Sequence, residues 1–248
     1  MGRFYLDLEF TNGNYYLADI IQMALVAEDS DNVFHTYIKI HYSIPKRVQE
    51  LTSITDDTLA AIGCRFKDAM VAFIEFIRVE QLQSGTCPTI IAHSGYLHDF
   101  PILLANCMKH KFTDFDILHD CVFVDSVRIL KDNGYQRPGL YSMCQELGLS
   151  RNNHSALEDA RLLKTVFTQL PDLLEHSYSY TFIDIMTYLR TKTPVSIQKV
   201  YNWARNCRSS AELDLMLVKF VRAKTALSIN QVFKISHWYF KDRFVMCK

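Results

Sequence analysis

Apolar positions along the chain repeat with two different periods. Three early segments read as strands: the β-rich run Arg3–Phe10, then Ile20–Ala27 and Val33–Tyr42. In the third, Tyr37, Lys39 and His41 alternate with Ile38, Ile40 and Tyr42, the period-two pattern of a half-buried strand. The polar run Asp29-Ser30-Asp31-Asn32 supplies a hairpin turn, so the three strands form an antiparallel meander. The period then lengthens. Phe66, Met70, Phe73, Ile74 and Ile77 fall at i, i+4, i+7, i+8 and i+11, an amphipathic helical stripe. Thr89–His93 and Val122–Asp125 are compact apolar strands, whereas Phe100–Met108, Leu140–Leu147 and Ala156–Leu170 read as helices. A meander followed by strand–helix alternation predicts an α/β fold, a mixed sheet flanked by helices on both faces.

Pro171 closes this region, and no clear strand pattern follows it. Helix starts stand at Thr193–Pro194, at the capping box Ser209-Ser210-Ala211-Glu212 and from Ser228. The expected organisation is a first domain over 1–170 and a C-terminal helical appendage over 171–248, packed on it without an obvious linker.

Composition narrows the function classes. Of 248 residues, 49% are hydrophobic and 22% charged, which supports a sizeable core and excludes global disorder. The 27 basic and 27 acidic residues cancel, which excludes a uniformly basic nucleic-acid binder. The balance is uneven, however. Residues 171–248 hold 12 basic and 6 acidic residues, net +6, leaving 15 and 21, net −6, in residues 1–170. Tyr201, Trp203, Phe220, Trp238 and Tyr239 interleave the basic positions. Two readings stay open for this end: a phosphate-tracking and base-stacking surface, or solvated charges over aromatics packed on the first domain.

Seven cysteines, none in a C-x-x-C pair, and a start MGRFYLDLEF without an apolar signal core point to an intracellular protein, cytoplasmic or nuclear. No charge-free run of 18 apolar residues is present, so no membrane partner is expected. No His or Cys pair has the spacing of a structural zinc site.

The chemistry lies in carboxylates. Asp7 and Glu9 are two apart on the first strand and so share one face. Two acids on a mainly apolar strand are costly unless a cation neutralises them, and hard oxygen ligands favour Mg2+ or Mn2+. Asp99 follows the apolar strand Thr89–His93 and opens a helix, as a cap or as part of a site. His154 and Asp159 stand in HSALEDA, just after the polar turn Ser150–Asn153.

This order, D-x-E, then a central Asp, then H-x-x-x-x-D, resembles the DEDDh 3′–5′ exonucleases. Within that family it resembles the three-prime repair exonuclease (TREX-like) branch. AHSGYLHDFPILL resembles that branch's A-H-N-G-x-x-x-D-F-P-L-L segment, and LTSITDDTLAAIG resembles the turn and helix preceding it. The resemblance covers about residues 3–170. Departures are Asn12 for the Gly of D-x-E-x-T-G, Ser53 for the Gly of T-G-L, Ser94 for Asn, and His98 for an aromatic residue. All five catalytic positions are intact.

The resemblance implies a ribonuclease-H-like fold in which Asp7, Glu9, Asp99 and Asp159 hold two Mg2+ ions, with Mn2+ as an alternative. It makes His154 the general base for water, releasing nucleoside 5′-monophosphates from DNA 3′ ends. It places Phe10 in the terminal-nucleotide pocket, Thr11 on the terminal sugar, Leu51 against a base and His98 at a phosphate; core packing or surface roles remain open for Phe10, Leu51 and His98. It also implies a homodimer through an edge strand, for which Val33–Tyr42 is the candidate. The alternatives are an RNA 3′–5′ exonuclease and a catalytically silent nucleic-acid- or protein-binding module.

Overall fold

The computed structural model describes residues 2–30, 32–114, 116–149, 154–174 and 178–192. The helix starts expected from Thr193 onward, and most of the basic end, lie outside these residues. Six strands form one sheet: β1 (Arg3–Phe10), β2 (Ile20–Ala27), β3 (Val33–Tyr37), β4 (Thr89–Ala92), β5 (Val122–Asp125) and β6 (Ser179–Tyr180), in the order β3-β2-β1-β4-β5-β6. The pairs β1–β4 and β4–β5 are parallel and the others antiparallel. The mixed sheet and its early meander are those expected from the hydrophobic pattern.

The helices are α1 (Lys46–Thr52), α2 (Asp56–Ile62), α3 (Phe66–Ser84), α4 (Asp99–Lys109), α5 (Asp116–Asp120), α6 (Ser126–Asp132), α7 (Leu140–Glu146), α8 (Ala156–Gln169) and α9 (Phe182–Thr191). They cover both sheet faces. On one, Leu6, Leu8, Met23, Leu25, Ile90 and Phe123 pack against residues of α3, α4 and α9. On the other, Tyr5, Ala24, Val26, Ile91 and Val124 meet residues of α6, α7 and α8. All eight residues of β2 are buried, so it lacks the alternation of a half-exposed strand.

The structure adds to or departs from the sequence expectation in three regions. β3 ends at Tyr37, not Tyr42: Tyr37 is paired with Gln22, Ile38 N–H still donates to Ile21 O at 2.9 Å, and from there the backbone bonds to Cys64 in place of β2. The chain turns instead toward the end of α2, where Cys64 N–H donates to Tyr37 O and Lys39 N–H to Cys64 O, both at 2.9 Å. The helices α1, α5 and α6, of five to seven residues, have no repeating apolar stripe to mark them, whereas α2 is the helix implied by the resemblance of LTSITDDTLAAIG. Beyond Pro171, β6 adds a two-residue strand to β5, and Phe182, Ile185, Met186 and Leu189 of α9 are buried in the main core. Each such side chain contributes roughly 1.5–3 kcal/mol relative to exposure, so residues 179–189 are firmly seated on the sheet.

Two of the four departures from the resembled motifs fall at left-handed backbone positions. Ser53 ends α1 at φ 59° and Ser94 follows β4 at φ 58°. Gly and Asn tolerate this conformation, whereas other L-residues lose roughly 1–2 kcal/mol in it. Ser53→Gly is therefore expected to stabilise the fold by about 1 kcal/mol, raising the melting temperature by about 2–4 °C. An unchanged or lower melting temperature in calorimetry would contradict this account.

Candidate active site

Asp7 and Glu9 project from β1 toward α8. Their register partners on β2 are Ala24 and Gln22. Opposed residues of an antiparallel pair share a face, so the methyl of Ala24 leaves room beside Asp7. Ala156 and Ala160 of α8 are fully buried on this face, and their small side chains let the helix approach the sheet closely. The β1–β2 register shifts between Glu9 and Phe10. Such irregularities bend a strand and re-aim its side chains.

Asp99 arrives from the other side. β4 pairs with β1 only as far as Ala92 opposite Leu6. The next β1 amide on that side, Leu8 N–H, donates instead to Asp99 Oδ1 at 3.1 Å. Leu8 lies between Asp7 and Glu9, so this bond fixes the third carboxyl next to the first two. Asp99 is 5% exposed. Burial, with Glu9 and Asp125 adding like charge, pushes its carboxyl up to about 8 against the opposing backbone N–H bonds.

The end of α8 completes the group. Ligand atoms of Glu9, His154 and Asp159 lie within 4.8 Å of one another. Asp159 is buried and, with Glu158, occupies the first turn of α8, where a negative charge suits the helix dipole. The sequence separation of 145 residues between Glu9 and His154 is closed by α8 packing across β1 and β2.

Two residues that the motif reading passed over hold the loop leading to Asp99. Asp125, closing β5, is buried; its Oδ2 accepts from Tyr96 N–H at 3.1 Å and its Oδ1 from Val127 N–H at 2.9 Å. Burial raises its pKa. His93 Nε2 accepts from Leu140 N–H at 2.9 Å, which leaves Nδ1–H to donate to Ser126 Oγ, also at 2.9 Å. An acid closing an apolar strand was the available signal for Asp125, the same that marked Asp99. Tyr96 also stacks on Tyr180 at 4.1 Å, and Tyr15 O–H donates to Leu97 O at 2.7 Å. Gly95 permits this turn: a Cβ there would stand 2.6 Å from the Phe100 ring and 2.7 Å from Ala92 Cβ.

The expected substrate contacts are placed differently from one another. Leu51 is exposed on α1, and His98 is exposed just before Asp99. Phe10 is half-buried against the core. Thr11 is buried, and its Oγ accepts from Asp19 N–H at 3.0 Å. Tyr42 O–H donates to Asp19 Oδ2 at 2.8 Å, so the 2.9 Å contact between Thr11 and Tyr42 has Thr11 as donor. Asp19 stays ionised for this role: although burial opposes it, His110, Lys109 and Tyr42 bring its pKa down to about 2. The half-exposed ring of Tyr42 therefore presents the outward surface above Thr11.

The donor set suits a hard divalent cation. Glu9 and Asp159 converge with His154, Asp99 stands near Glu9, Asp7 shares the strand face of Glu9, and Asp99 holds a proton that a nearby positive charge would displace.

The family model described as "Exonuclease" (RNase_T) matches residues 4–167. The fold is also that of several solved nucleases. The nuclease domain of 3′hExo, a DEDDh family member bound to rAMP, superposes with a TM-score of 0.60 at 15% identity, covering 72% of this chain and 95% of that one. A full-length 3′-exonuclease gives 0.57 at 16%, covering 68% and 81%. Cell-death related nuclease 4 (CRN-4) gives 0.56 at 14%, covering 76% and 77%. A sequence search against curated proteins finds no significant match.

The raised Asp99 pKa has a signed consequence. Between about pH 4 and 8 the folded, metal-free protein binds a proton at Asp99 that the unfolded chain has released. This group's contribution to stability therefore falls as pH rises through that window; Asp125 adds in the same direction. Asp99→Asn should flatten the decline in urea midpoint between pH 5 and 8 for protein kept in EDTA. Mn2+ should raise the wild-type midpoint most at the alkaline end. A wild-type midpoint that climbs with pH in EDTA would refute this assignment.

Proposed function

The chain belongs to the DEDDh exonuclease family, enzymes that act from 3′ to 5′ with divalent metal ions, and on that premise we propose that it removes nucleoside 5′-monophosphates from DNA 3′ ends. The carrying observation is the convergence of Glu9, His154 and Asp159 within 4.8 Å beside the Asp99 carboxyl bonded at Leu8. Asp7, Glu9, Asp99 and Asp159 hold the cations, with Mg2+ the proposed ion. When bound, such ions supply a more acidic water and neutralise charge at the scissile phosphate.

The chain's own groups do the rest. His154 takes the proton of the attacking water, a role suited to imidazole at neutral pH. Its place just ahead of α8 keeps it beside Glu9 and Asp159. Leu51 and Phe10 receive the terminal base by apolar contact, and Thr11, through the Tyr42 ring it anchors, borders the terminal sugar. His98, exposed at the start of α4, meets a backbone phosphate. Pairing of two copies through the edge strand β3 belongs to the same proposal.

RNA as substrate is the second reading. It is favoured by the ribonucleotide rAMP bound to the nuclease domain of 3′hExo. DNA is preferred on the TREX-like segment AHSGYLHDFPILL.

Matched 5′-labelled DNA and RNA oligonucleotides distinguish the readings. Stepwise shortening of DNA with Mg2+, abolished by EDTA, is expected. Faster shortening of RNA would transfer the assignment to RNA, and two intact substrates would defeat both. His154→Ala should lower kcat by about 10²–10⁴-fold while Mn2+ still binds; an unchanged rate would remove His154 as the base. Residues 193–248 carry 10 basic and 3 acidic residues. Ending the chain at Lys192 should weaken DNA binding and flatten its salt dependence; an unchanged salt slope would place the phosphate contacts elsewhere.

A further inference from the structure

Helix α8 begins without a cap of its own. Its N-cap residue, Ser155, makes no side-chain capping bond, yet this end of the helix stands between His154 and Asp159. The amide of Ala156 is satisfied from another element: its N–H donates to Gln22 Oε1 at 3.0 Å. Gln22 is 1% exposed and is the β2 register partner of Glu9. A buried amide at this point thus joins the strand beside one member of the site to the helix that carries another.

The second half of the Gln22 amide is also fixed. Because Oε1 faces Ala156 N–H, the Nε2 side faces His35 on β3, and it donates to His35 Nε2 at 2.8 Å. His35 must therefore present an unprotonated Nε2, with its ring proton on Nδ1. Burial, and to a lesser extent Arg161 on α8, lowers the His35 pKa and favours that neutral form. The Tyr37 ring packs edge-on at 5.1 Å and limits rotation of the imidazole. The resulting chain runs from His35 through Gln22 to Ala156, across two strands and into the first turn of α8.

We propose that Gln22, braced by His35, is a positioning residue that sets the start of α8, and with it His154 and Asp159, against Glu9. The proposal rests on the reading of Glu9, His154 and Asp159 as the hydrolytic centre. Gln22 touches neither water nor phosphate; it acts through the Ala156 amide. Apolar packing of Ala156, Ala160 and Leu163 presses α8 onto the sheet, but such packing is non-directional. The Gln22 bond adds direction and register at the helix terminus nearest the chemistry. Outer partners of this kind typically alter metal affinity or activity by about 10–100-fold when removed.

Gln22→Met keeps the side-chain length and removes both polar groups. It should lower kcat about 10–100-fold with KM for the labelled oligonucleotide within about threefold of wild type. In titration calorimetry without substrate it should weaken Mn2+ binding by about tenfold. His35→Phe should give a smaller loss of the same kind, and His35→Gln, which restores an acceptor near the place of Nε2, should recover most of it. The double variant Gln22→Met/His35→Phe should be no worse than Gln22→Met alone, since both break one chain. Met23→Ala, on the same strand but in the opposite core, is the control for lost stability, expected to lower the melting temperature with kcat near wild type.

Mn2+ affinity and kcat of Gln22→Met within twofold of wild type would overturn the proposal. So would equal loss in Met23→Ala at a matched melting temperature. If Gln22→Met does not fold, the His35→Phe and His35→Gln pair decides, with no difference between them counting against the brace. If the wild-type protein degrades neither DNA nor RNA, the assigned activity fails; the Mn2+ titrations still show whether Gln22 sets the carboxylate group.

Discussion

The bond from Leu8 N–H to Asp99 Oδ1 organises the site. β4 stops at Ala92, so an amide in the middle of the sheet would otherwise have no strand partner on that side. A buried N–H left unpaired costs about 1–3 kcal/mol, and the Asp99 carboxyl removes that cost while coming near Glu9. The same backbone economy therefore brings like charges together. Burial above all, with the like charges of Glu9 and Asp125 adding to it, pushes the Asp99 pKa up to about 8. The fold thus gathers carboxyl groups at one buried place, a donor set that suits a hard divalent cation.

Much of the surrounding structure restrains the two segments that meet there. Asp125, His93 and the stacked pair Tyr96–Tyr180 secure the turn between β4 and α4. The short strand β6 and the buried face of α9 form part of that restraint, which explains why the chain past Pro171 is built into the sheet. On the opposite side, the closeness of α8 depends on alanines at the helix–sheet contact and on directional bonds at its first turn. Rigid surroundings matter because hydrolysis is sensitive to displacements of about 1 Å.

The family relationship explains which motif departures are tolerable. Ser53 and Ser94 replace residues that adopt positive φ easily, yet the backbone keeps the left-handed geometry at both. The tertiary contacts outweigh a local cost of one to two kcal/mol, to order of magnitude. Stability is diminished slightly while the path of the chain into α4 is retained. His98, by contrast, changes an exposed side chain just before Asp99, where no buried contact constrains the residue.

The spacing of Asp7 and Glu9 on one strand face, the apolar runs of β1, β2, β4 and β5, and the stripe of α3 were legible in the sequence because each follows from a local period. So was the order of the five site residues, once set beside a family whose motifs it resembles. The short helices α1, α5 and α6 were not legible, since so few residues do not complete a repeating face. Nor was the early end of β3, where the backbone leaves β2 to bond with the distant Cys64. The roles of Asp125, Gln22 and Tyr42 in the site's surroundings were equally hidden. Each depends on a hydrogen bond to a residue distant along the chain, and no local pattern encodes the partner. The sequence by itself determined which chemical groups are available and the faces on which they stand. Only the tertiary structure decided which of them meet, because burial and unsatisfied backbone groups choose partners by position in space.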